Sequence, residues 1–169
     1  MEIETIPLKD DGAFPNNANL PLVFMKNAFE PGAGNLVERI EDAFHGNGWV
    51  HSWRNGLYPF HHYHSTAHEA LGLYSGWVKA QLGGPDGSIV VAKAGDVIVV
   101  PAGVAHKNLD QSSDFRVVGA YPQRQFPDMQ YGKPGERPKA DDNIKKVALP
   151  KTDPVSGRTG PLIELWKSF

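Results

Sequence analysis

Cysteine is absent from the 169 residues, which excludes disulfides, thiolate metal ligation and a cysteine nucleophile together. Histidine and carboxylate are the strong metal-binding side chains that remain. Long apolar runs are missing too. No stretch approaches the length that spans a bilayer, and the start Met1-Glu2-Ile3-Glu4 has neither the basic residues nor the apolar run of a signal peptide. A soluble, cytoplasmic protein without membrane contact is the expectation. An excess of charge of one sign is also lacking, with 17 Lys plus Arg against 19 Asp plus Glu and a net charge of -2. The basic residues are scattered except at Lys145 and Lys146, so the sequence shows no concentrated positive field of the kind a phosphate backbone or anionic lipid needs. No nucleic-acid partner is expected.

What is present suits one folded domain. Hydrophobic residues make up 40% and charged residues 21%, enough to fill a core and keep a wet surface. Leu20 to Phe24 reads as a short edge strand, because Pro21 lacks the donor that an interior ladder needs. Asn35 to His45 is the one good helix candidate: Leu36, Val37, Ile40 and Phe44 form an apolar stripe, Asn35 and Glu38 have capping-box spacing, and Gly46 supplies a stop. From Trp49 onward the pattern changes to short strand-like stretches at 49–53, 58–64, 70–74, 77–82, 89–93, 96–100 and 115–121. Such a series without a second long helix argues for an all-β sandwich or closed barrel. Gly83-Gly84-Pro85-Asp86-Gly87 reads as a hairpin tip. Beyond Pro122 the chain is rich in proline, glycine and charge, as a surface arm would be, and Leu162 to Trp166 is apolar enough to return and pack. The chain therefore divides into an N-terminal strand-and-helix extension over 1–48, a core barrel over 49–122 and a C-terminal arm over 123–169.

The histidines carry the chemistry. Of the seven in the chain, His61, His62, His64 and His68 fall in one short segment. Residues two apart on a strand share a face, so His62 and His64 point together with Phe60, while His61 and Tyr63 point the other way. Two imidazoles so placed can aim ring nitrogens at one point about 2 Å from each, as a metal requires. Glu69 opens the next strand within reach of that point. His106 follows the Pro101-Ala102-Gly103 turn, which redirects the chain so that a neighbouring strand presents a third imidazole. Three neutral histidines and one carboxylate favour Fe, Mn, Ni, Co or Zn and disfavour calcium, without choosing among the first five. The competing reading is a polar pocket in which the rings are satisfied by hydrogen bonds alone. Neither a zinc-peptidase HExxH nor a G-x-S-x-G nucleophile elbow occurs.

These residues resemble a known superfamily. Gly56, His62-Tyr63-His64, Glu69 and Gly76 reproduce the first cupin motif with its spacing intact. Gly95, Pro101-Ala102-Gly103 and His106 match the second. Where that motif ends in asparagine this chain has Asp110, a departure at a turn position rather than at a ligand. The resemblance covers about residues 50 to 120. It implies a double-stranded β-helix, or jelly-roll barrel, with a short N-terminal helix, an extended C-terminal arm and a metal near one mouth. The whole chain looks like the small bacterial single-domain cupins of unassigned activity. Cupins range from dioxygenases, isomerases and decarboxylases to storage proteins, so the motifs speak to fold and site more than to reaction. The implied function is a metal-dependent dioxygenase, isomerase or lyase on a small oxygenated metabolite, with a non-catalytic ligand- or metal-binding domain as the alternative. Small cupin barrels often pair through strands, and Leu20 to Phe24 or Leu162 to Trp166 are the candidates to cover a partner's edge in a homodimer.

Other residues have two readings. His68 is either a catalytic base near the cavity mouth or a connection residue that pins Glu69. Trp49, His51 and Trp53 alternate on one strand and either pack the core, as aromatic residues most often do, or narrow the cavity. Phe60, Tyr74, Ile98, Val100 and Val117 are candidate barrel lining. Arg54 and Arg116 are surface residues or a clamp for a substrate carboxylate.

Overall fold

The computed structural model describes residues 1–167 and shows nine strands and three short helices. The strands form two antiparallel sheets. The larger contains β1 (Glu2–Leu8), β2 (Asn17–Lys26), β7 (Val97–Val100), β4 (Glu69–Ser75), β9 (Arg116–Pro122) and β3 (Trp49–Asn55), side by side in that order. The smaller runs β6 (Ser88–Lys93), β5 (Trp77–Leu82) and β8 (His106–Gln111). Leu22, Phe24, Leu71, Leu73, Ile98 and Val117 of the larger sheet meet Val78, Ala80, Leu82 and Ala92 of the smaller one in a buried core. This is a jelly-roll barrel of two facing antiparallel sheets.

The larger sheet is covered on both faces. Its outer side carries Val23, Met25, Ala70, Val97, Val99 and Val118 against Ile40 and Phe44 of α1 (Leu36–Gly46) and Leu162 and Trp166 of α3 (Pro161–Lys167). Burial on two faces explains why β7 reads Val-Ile-Val-Val with all four residues buried, where a half-exposed strand would alternate. The smaller sheet is different: Trp77, Ile89 and Val91 are exposed, as strict alternation along β5 and β6 requires.

Several expected boundaries shift for identifiable reasons. β2 lies between β1 and β7 rather than at an edge. Pro21 is tolerated there because the ladder to β1 is broken: Ile6 pairs with Leu22, but Leu8 pairs with Asn17. Trp166 Nε1 then donates to the Pro21 carbonyl at 3.0 Å. β1 and β2 are thus part of the barrel wall, and both segments proposed to cover a partner's edge are engaged within the chain. Asn35 does cap α1 by position, yet its side chain makes no capping bond. Gly46 is the last helical residue, and the chain turns after it, with Gly48 at φ 76. The stretch 58–64 contributes only isolated bridges, His62 to His106 and Tyr63 to Gln130, while β1 and β8 were not foreseen. Phe60 is exposed and Tyr74 packs on the outer side, whereas Ile98, Val100 and Val117 do line the barrel.

The arm after Pro122 crosses the barrel mouth and then forms α2 (Lys139–Lys146). Arg137 fastens it by pairing with Asp10 and Asp141. Among the described residues no helix is long and apolar enough to cross a membrane.

Candidate metal centre

Extended backbone around residue 63 sets the side chains. His62 and His106 exchange both main-chain bonds, N–H to carbonyl at 3.3 and 2.9 Å, which places the two residues directly opposite each other. Tyr63 makes the same double exchange with Gln130 at 3.0 Å each way. Alternation then turns Tyr63 outward, where it is fully buried with Phe14, Ala105 and Ala140. His62 and His64 turn toward the barrel interior. β8 begins at His106 and β4 begins at Glu69, and both residues face inward from the first position of their strand.

The four predicted side chains meet there. Ring nitrogens of His62, His64 and His106 lie within 4.8 Å of one another. Glu69 Oε2 is 3.2 Å from His106 Nε2 and 3.4 Å from His64 Nε2. All four residues are buried, none more than 8% exposed.

The protons are the informative part. His62 Nδ1 is 3.0 Å from the Phe60 carbonyl, His106 Nδ1 is 3.1 Å from the Val104 carbonyl, and His64 Nδ1 contacts the Asp128 carbonyl. A carbonyl can only accept, so each Nδ1 must carry the hydrogen, and each neutral ring presents a bare Nε2 lone pair. Glu69 Oε2 is buried without a hydrogen-bond partner. Lone pairs therefore face lone pairs at the centre, an arrangement that costs free energy until a positive charge enters.

The acid–base balance agrees. Burial opposes charge on His64, but the Glu69 carboxylate outweighs it and raises the ring's pKa. Burial would likewise raise Glu69, yet the His64 and His106 rings hold it below the usual carboxylate range. His62 is instead pushed down to about 3, by burial first and by His106 second, and stays neutral. The centre accommodates positive charge beside Glu69 while keeping His62 as an electron-pair donor. The donor set, three imidazoles and one carboxylate, suits a divalent transition metal.

A cavity of about 390 Å³ opens beside this cluster. Its other walls include Trp53, Leu57, Tyr58, Tyr121 and Met129. Trp53 Nε1 donates to the Tyr121 hydroxyl at 2.8 Å. Burial, and after it the Glu69 charge, raise the Tyr121 phenol above its ordinary value, so it stays protonated. The indole lies flat over Gly119, where an added Cβ would stand 2.1 Å from a ring carbon; only glycine leaves room for it.

Trp49, His51 and Trp53 do not share a face. His51 has φ 55 and the β3 register shifts between Val50 and Trp53, which reverses the alternation. Trp49 therefore packs in the outer core, and Trp53 lines the cavity. Arg54 reaches the cavity rim but is held by both carboxylate oxygens of Glu41 at 2.6 and 2.7 Å. His61 packs beside Phe14 on the far side, as alternation requires.

His68, expected as a base, is not among the cavity's lining residues. It precedes the inward Glu69, and alternation sends it the other way. Its Nδ1 accepts the Ala102 N–H at 2.9 Å and its ring lies 4.8 Å from that of Trp166. Burial pushes its pKa down to about 4.

Comparison with known proteins matches the chain to a relative. Over 165 residues the chain is 44% identical to the uncharacterized protein YjlB of Bacillus subtilis strain 168, covering 98% of this chain and 97% of that one. The chain belongs to the YjlB family. No protein-family profile matches it. Solved structures resemble this YjlB-family barrel more loosely. A cadmium-containing acireductone dioxygenase from Bacillus anthracis is 16% identical over 63% of this chain and 82% of that one, at a TM-score of 0.45. RmlC from Streptococcus suis, in complex with dTDP-D-xylose, is 14% identical over 98% and 94% of the two chains, at 0.38. No residue role passes from either to the YjlB family.

Proposed function

We propose that His62, His64, His106 and Glu69 hold one divalent transition-metal ion and that the adjoining cavity takes a small oxygenated metabolite. The observation that carries this reading is the meeting of three bare imidazole nitrogens with a buried carboxylate oxygen that has no donor. The ion supplies a Lewis acid and, if redox-active, an electron source. The protein's own groups do the rest. Each backbone carbonyl behind a histidine fixes tautomer and ring orientation. Trp53, Leu57 and Met129 form an apolar wall that excludes water and strengthens polar contacts inside. Tyr121 stays protonated and offers its O–H to a substrate oxygen. A cavity of about 390 Å³ suits a molecule of metabolite size.

The lining favours one reaction class over another. Apart from the four proposed ligands, the cavity's lining residues include no carboxylate and no histidine, which leaves no carboxylate or imidazole there to abstract a proton. Isomerase and lyase chemistry rely on such a base; oxidative chemistry at a redox metal relies on it less. The same lack supports the second reading, a non-catalytic domain that binds a small ligand on its metal.

Metal analysis of protein purified without a histidine tag tests the ligand set. The expected result is close to one ion per chain in the native protein and almost none in a folded His106→Ala variant. Equal metal content in both would remove the proposal. Oxygen uptake with catechols, thiols and diketones then separates an oxygenase from a binding domain.

A further inference from the structure

A second concavity lies outside the barrel, and its charge is one-sided. It measures about 910 Å³ and runs between the end of α1, residues 122–125 and the segment 143–152 of the arm. Arg124, Lys146, Lys151 and Arg158 line it, and no Asp or Glu does. Among the described residues none of the four cations forms an ion pair or a side-chain hydrogen bond, although Lys26, Arg54 and Arg137 all find carboxylates. Asp153, the acid nearest to Lys151 in sequence, faces inward and accepts the main-chain N–H groups of Val155, Ser156 and Leu162. In a chain of net charge -2, four unneutralised cations around one concavity are a departure that the sequence order hides, because they are drawn from positions 124 to 158. Arg124 also adopts φ 70, a left-handed conformation that costs free energy for a residue with a side chain.

We infer that this groove binds a phosphorylated small organic molecule carrying two or more negative charges. Four cations exceed what a single carboxylate would neutralise, and two of them are arginines, whose forked guanidinium matches phosphate oxygens in pairs. The consecutive Val147, Ala148, Leu149 and Pro150 on one wall offer apolar contact to the organic part of such a ligand. A volume near 910 Å³ falls within the range of small-molecule sites. A nucleic acid fits less well: its backbone would continue past the four cations onto a surface of net negative charge. The groove is separate from the histidine cavity, and the inference stands whether or not that cavity holds a metal.

Calorimetric titration with inorganic pyrophosphate tests it, in metal-free protein so that chelation by a bound ion cannot contribute. The expected result is saturable one-to-one binding that weakens as salt rises. Arg124→Gln and Arg158→Gln should each lower the affinity about tenfold, and the double variant should abolish it. Lys79→Gln and Lys93→Gln on the smaller sheet should leave binding unchanged, and so should His106→Ala. Three results would overturn the inference: no saturable binding at physiological salt, equal affinity in the groove and control variants, or loss of binding in His106→Ala. A single-stranded oligonucleotide that binds the groove more tightly than pyrophosphate would overturn it too, in favour of nucleic acid.

Discussion

The cavity inside the barrel and the groove outside it share no lining residue, and they are opposites in charge. Inside, three imidazole lone pairs converge on a carboxylate with no donor. Outside, four cations converge with no carboxylate. On the proposed readings one concavity takes a cation and the other an anion. His62, His64 and Glu69 line the cavity, while Thr66, in the connection between His64 and Glu69, lines the groove. The strap 122–130 serves both, with Pro122 to Gln125 on the groove, Asp128 on His64 and Met129 on the cavity.

The sharpest test of that division concerns His68, the buried ring that faces neither the cation site nor bulk water. Its pKa is about 4 in the fold against about 6.5 unfolded. The unfolded chain therefore takes the proton first as pH falls. The neutral ring's contribution is complete above about pH 6.5, shrinks as pH falls toward 4, and changes no further below that. The lost stability is about 3 kcal/mol. Urea unfolding of native and His68→Phe protein at pH 7.5 and 4 should show this as a smaller pH effect in the variant. An equal effect in both would mean that the ring is not shielded.

A second variant disturbs the inside alone. Gly119→Ala forces the Trp53 indole away from its place over the strand, which should cost about 1–3 kcal/mol as other overpacked sites do. It also breaks the Trp53–Tyr121 bond, visible in tryptophan fluorescence, while pyrophosphate binding in the groove should not move. Parallel loss of both would show that the two regions are one.

The smallest effect is expected where the regions share a support. The Asp128 carboxylate holds the strap through the Ser65 N–H and hydroxyl, and its own carbonyl orients His64. Asp128→Ala should lower metal affinity about tenfold, roughly 1.4 kcal/mol, with Asp128→Asn retaining most of it. Competition against a chromogenic chelator reads this directly; unchanged affinity in Asp128→Ala would remove the strap from the site.

Much of the inner site was legible because it depends on local geometry. Spacing of two along extended chain set His62 beside His64, and the first residue after a turn set Glu69 and His106. His68 was left with two readings, although the same rule counted back from Glu69 turns it away from the cavity. The rule put Trp49 and Trp53 on one face, because the positive φ at His51 reverses the alternation and nothing in a histidine announces that. Tyr121 was within reach, since counting by twos from Val117 along β9 leads to it. Asp128 and the groove were not, because each depends on contacts between segments far apart in sequence. The helical periodicity of Leu36, Ile40 and Phe44 marked α1 correctly, but the double burial of the larger sheet erased the alternation that would have bounded β2.

The reciprocal bonds between Tyr63 and Gln130 have a practical corollary for anyone handling the protein. Cutting the gene after Pro122 to obtain a minimal barrel would also delete the acceptor that keeps the His64 tautomer. Such a shortened product could remain folded and still be chemically silent, so that a loop-like appendage sets the smallest unit worth purifying.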